Sequence, residues 1–210
     1  VLSPGMESWH PDPDFFFQAG GGPVLDTRDL GKMAGELKAL GVREVAGNLK
    51  VWTGAPANMF EIDAEQPDHV GYNPAVGGLN LNFNRVHFEW KRAGDRYDIA
   101  MDARGGRYKP AVGMAGMEVI ARSLPVYTYR DGGDADEWTV ARGALGGSGA
   151  RWLPVRKPLL YAGDVFRTMA RSHGIVLPQA TVGAAARSGT VLATHASPPL
   201  RGVLQDMLKF

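Results

Sequence analysis

The fold of this chain is decided by the stretch Leu79-Asn80-Leu81-Asn82-Phe83-Asn84-Arg85-Val86-His87-Phe88-Glu89-Trp90, residues 79–90. Apolar residues occupy the odd positions as far as Phe83 and the even positions from Val86 onwards. Alternate side chains of a strand point to opposite faces, so a strand cannot change its apolar positions without an extra residue. We therefore predict a half-buried strand up to Phe83, a bulge or break near positions 84 and 85, and a second strand to Trp90.

More β-structure is predicted on the C-terminal side of this stretch. Ala93-Gly94-Asp95 has the composition of a turn, and Tyr97, Ile99 and Met101 continue the alternation as the return strand of a hairpin. Two further strands, over 125–129 and 138–142, flank a turn at 131–134, and another is predicted over 152–155.

On the N-terminal side, the pattern predicts a small α/β layer. A short buried strand is expected at 15–18 and a β-rich segment at 44–53. Between them, a helix is predicted from apolar residues spaced i, i+3, i+4 and i+7, namely Leu30, Met33, Ala34 and Leu37. Asp26 or Thr27 can cap its first amide groups, and Gly41 ends it.

The C-terminal part is predicted to be helical. One apolar stripe covers 162–170 and is followed by Gly174 and Pro178, which favour the end of a helix. A second stripe covers 200–208 and reaches Phe210 without Gly, Asn or Pro, so we expect this helix to continue into further sequence.

Composition excludes several classes of protein. The 210 residues carry 23 Lys and Arg against 22 Asp and Glu, which gives no basic surface for nucleic acid. With 44% hydrophobic and 21% charged residues the chain is globular, and no apolar run reaches the ~18 residues of a transmembrane helix. The absence of Cys excludes disulfides and thiol chemistry.

No complete catalytic or cofactor site is visible in the sequence. None of the seven serines lies in a Gly-x-Ser-x-Gly motif or has Lys three residues later. Ser172 and His173 are neighbours on a predicted helix, where side chains diverge by about 100°, so we expect no hydrogen bond between them. Gly20-Gly21-Gly22 is interpreted as a structural turn and not as a phosphate loop.

Metal ligands are limited to two weak candidates. Asp68-His69 and His87-x-Glu89 lack a third well-spaced ligand, and His87 alternates with apolar residues. We therefore expect His87 to face solvent and predict no metal or cofactor. The scattered arginines are interpreted as solvated surface residues: Arg43, Arg85, Arg92 and Arg104.

A family resemblance lies in the stretch Tyr72-Asn73-Pro74-Ala75-Val76-Gly77-Gly78-Leu79-Asn80-Leu81-Asn82-Phe83-Asn84. It resembles the Tyr-Gly-Ala-Pro…Ala-Leu-Ser-Val-Asn-Asp-Asn segment of serine D-alanyl-D-alanine carboxypeptidases of the penicillin-binding protein 4 type, the class C low-molecular-mass penicillin-binding proteins. The stretch Gly20-Gly21-Gly22-Pro23-Val24-Leu25-Asp26-Thr27 is similar to that family's Gly-Gly-Gly-Asp-Pro-Thr-Leu, without the Asp before Pro23.

Two C-terminal stretches agree with the same family. Pro199-Leu200-Arg201, followed by Leu204-Gln205-Asp206-Met207-Leu208-Lys209, is similar to the helix that leads into the family's second active-site motif. Gly163-Asp164-Val165-Phe166 and Arg171-Ser172-His173-Gly174-Ile175 are similar to the helix before it. The resemblance runs from about Gly20 to Phe210.

The resemblance implies an acyl-enzyme mechanism that uses three motifs: Ser-x-x-Lys with the acylated serine, Ser-x-Asn, and Lys-Thr-Gly. None of them occurs in this chain. In the family, a large insertion that folds as accessory domains separates the first two motifs. We therefore expect Ser-x-x-Lys before Val1 and the other two motifs after Phe210, and we expect the chain alone to be inactive.

The fold class predicted on this basis is α+β. A small α/β layer is followed by a hairpin-rich accessory domain and by C-terminal helices that return to a transpeptidase-like (β-lactamase-like) domain mostly absent from this chain. The domain limits are 1–19 for an N-terminal segment without an assigned fold, 20–105 and 106–157 for the accessory parts, and 158–210 for the returning helices.

The implied function is a periplasmic carboxypeptidase/endopeptidase that cleaves peptidoglycan stem peptides, with β-lactams binding through the missing catalytic part. The alternative is a non-catalytic module that binds peptidoglycan or a partner protein. Two residues are candidates for contact with the stem peptide, Tyr72 by its alignment with a family aromatic and Asp68 as the nearest acidic residue. Their structural alternatives are packing of Tyr72 over Pro74 and a turn at Asp68.

Overall fold

The computed structural model describes residues 14–22, 24–54, 58–185 and 189–209. Among these residues the chain forms a mixed α/β fold, which confirms the predicted class, with three α-helices and three sheets of three strands each. The helices are α1 (Thr27–Ala39), α2 (Pro158–Ser172) and α3 (Leu200–Met207). The strands are β1 (Asp14–Ala19), β2 (Asn48–Thr53), β3 (Arg85–Ala93), β4 (Arg96–Asp102), β5 (Ala115–Ile120), β6 (Tyr127–Asp131), β7 (Asp136–Ala141), β8 (Ser148–Pro154) and β9 (Ala180–Val182).

The predicted α/β layer is confirmed. Strands β1, β2 and β9 form a parallel sheet in the order β1-β2-β9, and α2 packs on β2 and β9. The α1 helix begins with a capping box, in which the Asp26 side chain accepts from the amide groups of Arg28 and Asp29. It ends at Ala39, and Gly41 follows with a φ of +86°, the left-handed conformation that glycine adopts without strain.

The predicted hairpin is also confirmed, and it forms a second sheet. Strands β3 and β4 pair antiparallel around Gly94, and β8 pairs antiparallel with the other edge of β3. Val86 and Phe88 are buried in β3. Strand β8 is longer than the predicted 152–155 segment because it pairs with β3 along its whole length.

The predicted strand over positions 79–83 is wrong. Asn82–Asn84 forms a 3-10 turn in which all three residues have positive φ, from +50° to +58°. Phe83 is 62% exposed, whereas both asparagines of the turn are buried, the reverse of the predicted pattern. The predicted break is confirmed, because β3 begins at Arg85.

Hydrogen bonds of the buried asparagine side chains explain this reversal. The Asn82 amide group donates to Thr27 Oγ1 at 2.8 Å, and its Oδ1 accepts from the Thr27 amide at 3.2 Å. Asn84 Nδ2 donates to Ala75 O and Asn80 Oδ1, both at 2.8 Å. Burial of a polar group is unfavourable mainly when the group has no hydrogen-bond partner. Because both asparagine side chains have partners, they can be buried in this turn.

The third sheet has the order β5-β7-β6. Strands β6 and β7 are the two strands predicted on either side of the turn at 131–134, and they pair antiparallel. Strand β5, which pairs parallel with β7, and strand β9 were not predicted.

The described part of the C-terminus confirms both predicted helices. Helix α2 is followed by Gly174 with φ of +80°, and α3 covers the second apolar stripe. None of the described helices is both long and apolar enough to cross a membrane. Residues 1–13, Pro23 and Phe210, to which some predictions apply, lie outside the described residues.

Candidate functional site

The irregular segment 58–76, which we call the 58–76 loop, carries both predicted contact residues and is held by one buried arginine. Arg156 lies between β8 and α2, and its side chain is fully buried. Its Nη1 donates to Phe60 O and Asn73 O, and its Nη2 donates to Asp68 O, each at 2.9 Å. One guanidinium group therefore fixes the loop at three points along its length.

Nearby carboxylates act against the burial of the Arg156 charge. Glu61 Oε2 lies 3.8 Å from Nη2, and the guanidinium carbon lies 4.6 Å from the centre of the Phe60 ring. Burial lowers the pKa of Arg156, although the Glu61 charge acts in the opposite direction. Arginine remains protonated in proteins at neutral pH, so a positive charge is retained beneath the loop.

Asn73 is the second anchor of the loop. Its Oδ1 accepts from the amide groups of Ile62 and Asp63 at 2.8 and 2.9 Å, and its Nδ2 donates to Asp63 O at 2.8 Å. At the end of the loop, the Ala75 amide donates to Val155 O at 3.1 Å. The loop has little regular structure, and side chains bonded to its backbone define its course.

A buried carboxylate supports Arg156 from the third sheet. Asp136 is fully buried, its Oδ2 accepts from the Arg156 amide at 2.8 Å, and its Oδ1 accepts from the Tyr129 hydroxyl at 3.1 Å. Burial raises the pKa of Asp136. Burial also raises the pKa of Tyr129, and the nearby Asp136 charge raises it further. These groups connect the loop to β6 and β7.

Tyr72 and Asp68 lie on the same loop, and both are exposed. Tyr72 is 67% exposed and donates from its hydroxyl to Gln66 Oε1 at 3.0 Å. The backbone carbonyl of Asp68 is bound by Arg156, while its side chain is exposed to solvent. The structure thus presents both side chains outward from an anchored backbone.

A shallow groove of about 630 Å³ lies beside Tyr72, and Asp68 is not among its lining residues. Gly71 forms part of its wall, where a Cβ atom would come within 2.8 Å of Trp152 O, so only glycine allows this approach to β8. Aromatic and cationic side chains line much of the groove, namely Arg85, Trp90, Tyr127, Arg151 and Trp152. Small aliphatic residues complete the lining: Val70, Val126, Ala144 and Ala150.

Two arginines give the groove a positive charge. Arg85 stacks on the Trp152 ring at 5.2 Å, and Arg151 stacks on the Tyr127 ring at 4.4 Å. The Nε atoms of both arginines are buried without a hydrogen-bond partner among the described residues. Sequence alone placed Arg85 among solvated surface residues, and its stacking on Trp152 corrects that interpretation. The groove is suited to a carboxylate, which arginine binds well.

His69 borders the same surface, and its surroundings favour the neutral imidazole. Its ring stacks on Tyr127 with centroids 5.0 Å apart. Burial lowers the pKa of His69, and the nearby positive charge of Arg151 lowers it further. The positive charge of the groove therefore comes from the arginines.

The structure places the candidate metal ligands differently from the sequence prediction. His87 is buried and not solvent-facing, because its ring packs edge-on against Trp152 of the neighbouring strand. Glu89 and Asp102, on β3 and at the end of β4, lie close to it, and Arg104 pairs with both carboxylates. Asp68 and His69 are not part of this cluster.

The Ser172–His173 prediction is also corrected. Ser172 Oγ and His173 Nδ1 lie 3.2 Å apart, because His173 is the C-cap residue and has left the helical conformation. Both groups also contact Met169 O, at 2.6 and 2.9 Å. The serine hydroxyl proton is directed to that carbonyl, so the pair is a helix end and not a nucleophile with its base.

A family model and two solved structures match this chain. The model of the D-Ala-D-Ala carboxypeptidase 3 (S13) family of peptidases matches residues 3–210. The crystal structure of penicillin binding protein 4 from Haemophilus influenzae is similar with a TM-score of 0.67 and 18% identity, covering 100% of this chain and 47% of that chain. The structure of the same protein complexed with a novel β-lactam gives a TM-score of 0.61 and 17% identity, covering 97% of this chain and 44% of that chain.

These matches differ in what they show. At 17–18% identity, the likeness to the two crystal structures shows a shared fold. The chain spans about half the length of those structures. No curated protein matches the chain.

Proposed function

Since the chain belongs to the D-Ala-D-Ala carboxypeptidase 3 (S13) family, we propose that it is part of a periplasmic serine-type D-alanyl-D-alanine carboxypeptidase/endopeptidase that cleaves peptidoglycan stem peptides. The observation that carries the proposal is the family match over residues 3–210. The 210 residues contain no Ser-x-x-Lys, Ser-x-Asn or Lys-Thr-Gly motif, so acylation and hydrolysis belong to residues outside this sequence.

In this proposal the chain holds part of the substrate. The Asp68 carboxylate, which is exposed, pairs with an amino group on the side chain of the stem peptide. The exposed Tyr72 ring covers apolar parts of the peptide, and the arginines of the groove face a carboxylate. Anchoring by Arg156 limits the entropy that the loop loses on binding.

A peptide titration of the 210-residue chain tests this role. The probe is a peptide ending in D-Ala-D-Ala with lysine before the D-Ala pair, and the control peptide has norleucine in place of lysine. We expect weak, saturable NMR shifts near Asp68 and Tyr72, with a Kd on the order of 1 mM because most contacts are missing. The norleucine peptide and the Asp68→Asn variant should bind at least threefold more weakly. Shifts that avoid this loop, or equal binding of both peptides, would contradict the proposed contact.

The alternative, a non-catalytic binding module, predicts a different affinity. A module that binds peptidoglycan by itself needs no second domain, so the same peptide should bind with a Kd on the order of 10 μM or tighter. Tyr72→Ala should then remove most of that affinity. The titration therefore separates the two functions by the size of Kd.

Reaction with penicillin tests the assignment of the chemistry. Because no acylatable serine motif is present, a fluorescent penicillin should leave the intact mass of the chain unchanged. A stable adduct on any of the seven serines would show that the nucleophile lies within these residues.

A further inference from the structure

His87, Glu89 and Asp102 converge on one face of the β3–β4 hairpin. His87 and Glu89 are two residues apart on β3 and so share a face, and Asp102 is the cross-strand partner of His87 on β4. His87 Nδ1 lies 3.9 Å from Asp102 Oδ2 and 4.0 Å from Glu89 Oε2. One potential ligand atom from each of the three residues lies within 4.8 Å of the others.

The imidazole is the unusual member of this cluster. The His87 side chain is only 10% exposed, and its Nδ1 is buried without a hydrogen-bond partner among the described residues. A buried polar atom without a partner is unfavourable, so this nitrogen requires an explanation. Trp152 holds the ring in place, with centroids 5.0 Å apart and planes at 81°.

A cationic group already lies between the two carboxylates. Arg104 Nη2 is 2.7 Å from Glu89 Oε2 and 2.7 Å from Asp102 Oδ2, the same two oxygens that lie near His87 Nδ1. This arrangement satisfies the oxygens and leaves the imidazole nitrogen unpaired. A cation that binds nitrogen as well as oxygen would satisfy all three residues.

We propose that His87, Glu89 and Asp102 form a binding site for a divalent transition-metal ion of the zinc type, which enters by displacing the guanidinium group of Arg104. One imidazole nitrogen with two carboxylate oxygens is a donor set that zinc accepts, whereas magnesium and calcium prefer oxygen alone. Ligand atoms of a tetrahedral zinc ion lie roughly 3.3–3.4 Å apart, so the distances from His87 Nδ1 to the two carboxylate oxygens need to shorten by about 0.6 Å. The bound ion joins β3 to the end of β4.

Solvent access and nearby charges determine how an ion reaches this cluster. Glu89 is half exposed, which gives an ion a path from solvent. Arg104 and Lys109 are the positive groups nearby, and their repulsion of the ion sets a modest affinity for the natural sequence.

Zinc titration by calorimetry, on the 210-residue chain without a polyhistidine tag at pH 7.5, tests the proposal. The expected result is one Zn²⁺ per chain with a Kd on the order of 10–100 μM. Arg104→Met removes the competing cation and should tighten binding about tenfold or more, whereas Glu89→Gln removes an exposed ligand and should weaken it about tenfold or more. His173→Asn, which changes a histidine outside the cluster, should leave Kd unchanged.

Cobalt gives a second measurement that reports the ligands directly. Co²⁺ in place of Zn²⁺ should produce visible absorption bands of a nitrogen–oxygen site in the natural chain, and His87→Phe should abolish them. If His87→Phe fails to fold, Glu89→Gln alone decides the question, because its side chain lies at the surface. Zinc binding that is absent, present only in Arg104→Met, or unchanged by Glu89→Gln would overturn the proposal.

Discussion

Replacing Arg156 with methionine should release the 58–76 loop from the rest of the fold. The substitution keeps much of the side-chain volume but removes all three hydrogen bonds to the loop carbonyl groups of Phe60, Asp68 and Asn73. Those carbonyl groups then lack a partner unless the loop moves out to water. The position of Tyr72 depends on the same backbone.

The expected magnitude follows from two opposing effects. Each hydrogen bond from a charged donor contributes about 1.5–3 kcal/mol, and removal of the buried guanidinium returns several kcal/mol of desolvation. Breaking a buried charged network costs about 3–5 kcal/mol net. We therefore expect the free energy of unfolding to fall by about 3 kcal/mol, which corresponds to roughly a 100-fold change in an equilibrium constant.

Urea unfolding combined with native-state hydrogen exchange measures both parts of this prediction. The amide groups of Ile62 and Asp63, which donate to Asn73 Oδ1, should exchange roughly 100-fold faster in Arg156→Met. Arg156→Lys should recover less than half of the loss, because one ammonium group cannot reproduce the fork geometry.

The matched control is Arg167→Met on α2, a partly exposed arginine whose ion pair with Asp164 is 3.8 Å long. It should cost at most about 1 kcal/mol and leave the exchange of the loop unchanged. A loss below about 1 kcal/mol in Arg156→Met, or unchanged exchange at Ile62 and Asp63, would refute the role assigned to this arginine.

The remaining predictions concern helix ends and helix packing. Asp26→Ala should cost about 1 kcal/mol at pH 7 in urea unfolding, while Asp26→Asn keeps the cap and most of the stability. Burial acts to raise the pKa of Asp26, but hydrogen bonds and charge from Arg28 outweigh it and lower the pKa below 3.8. The stability that ionised Asp26 contributes is therefore present above pH 3.8 and is lost as the pH falls through the lowered pKa. The loss of unfolding free energy in Asp26→Ala should shrink over that pH range. A loss that stays constant with pH would contradict this prediction. Gly163→Ala should lower the free energy of unfolding by about 1–3 kcal/mol, because its Cβ would lie 2.4 Å from Ala180 Cβ. Gly35→Ala, where the new Cβ makes only ordinary contacts on α1, should raise it by about 0.5–1 kcal/mol. Stability changes of the same sign for both variants in thermal unfolding would show this packing argument to be wrong.

Local sequence patterns predicted the elements whose causes are local. The α1 helix follows from its apolar spacing and from a cap within two residues of its start, and the β3–β4 hairpin follows from alternation around Gly94. Strand β5 was missed because its pairing with β7 is parallel and needs a partner about 20 residues away. For the candidate site, sequence predicted that Tyr72 and Asp68 contact the stem peptide, which stays a prediction.

The groups that hold the site could not be predicted in the same way. Arg156 reaches carbonyl groups that precede it by 83 to 96 residues, and no local pattern distinguishes it from a surface arginine. Its burial depends on acceptors that exist only after the loop has folded over β8. The same limit applies to His87, whose burial depends on Trp152, its cross-strand partner on β8.

The 3-10 turn Asn82–Asn84 shows why polarity alone misplaced these residues. A left-handed conformation costs about 1–2 kcal/mol per non-glycine residue, so three in succession need compensation from elsewhere. The compensation comes from α1 through Thr27 and from the end of the 58–76 loop through Ala75, both bound by asparagine side chains of the turn. The turn therefore joins the α/β layer, the loop and the β3–β4 hairpin at one point. Loss of the Asn84 side chain should accordingly disturb the loop as well as the turn, because the amide group that binds Ala75 O is the same one that binds Asn80.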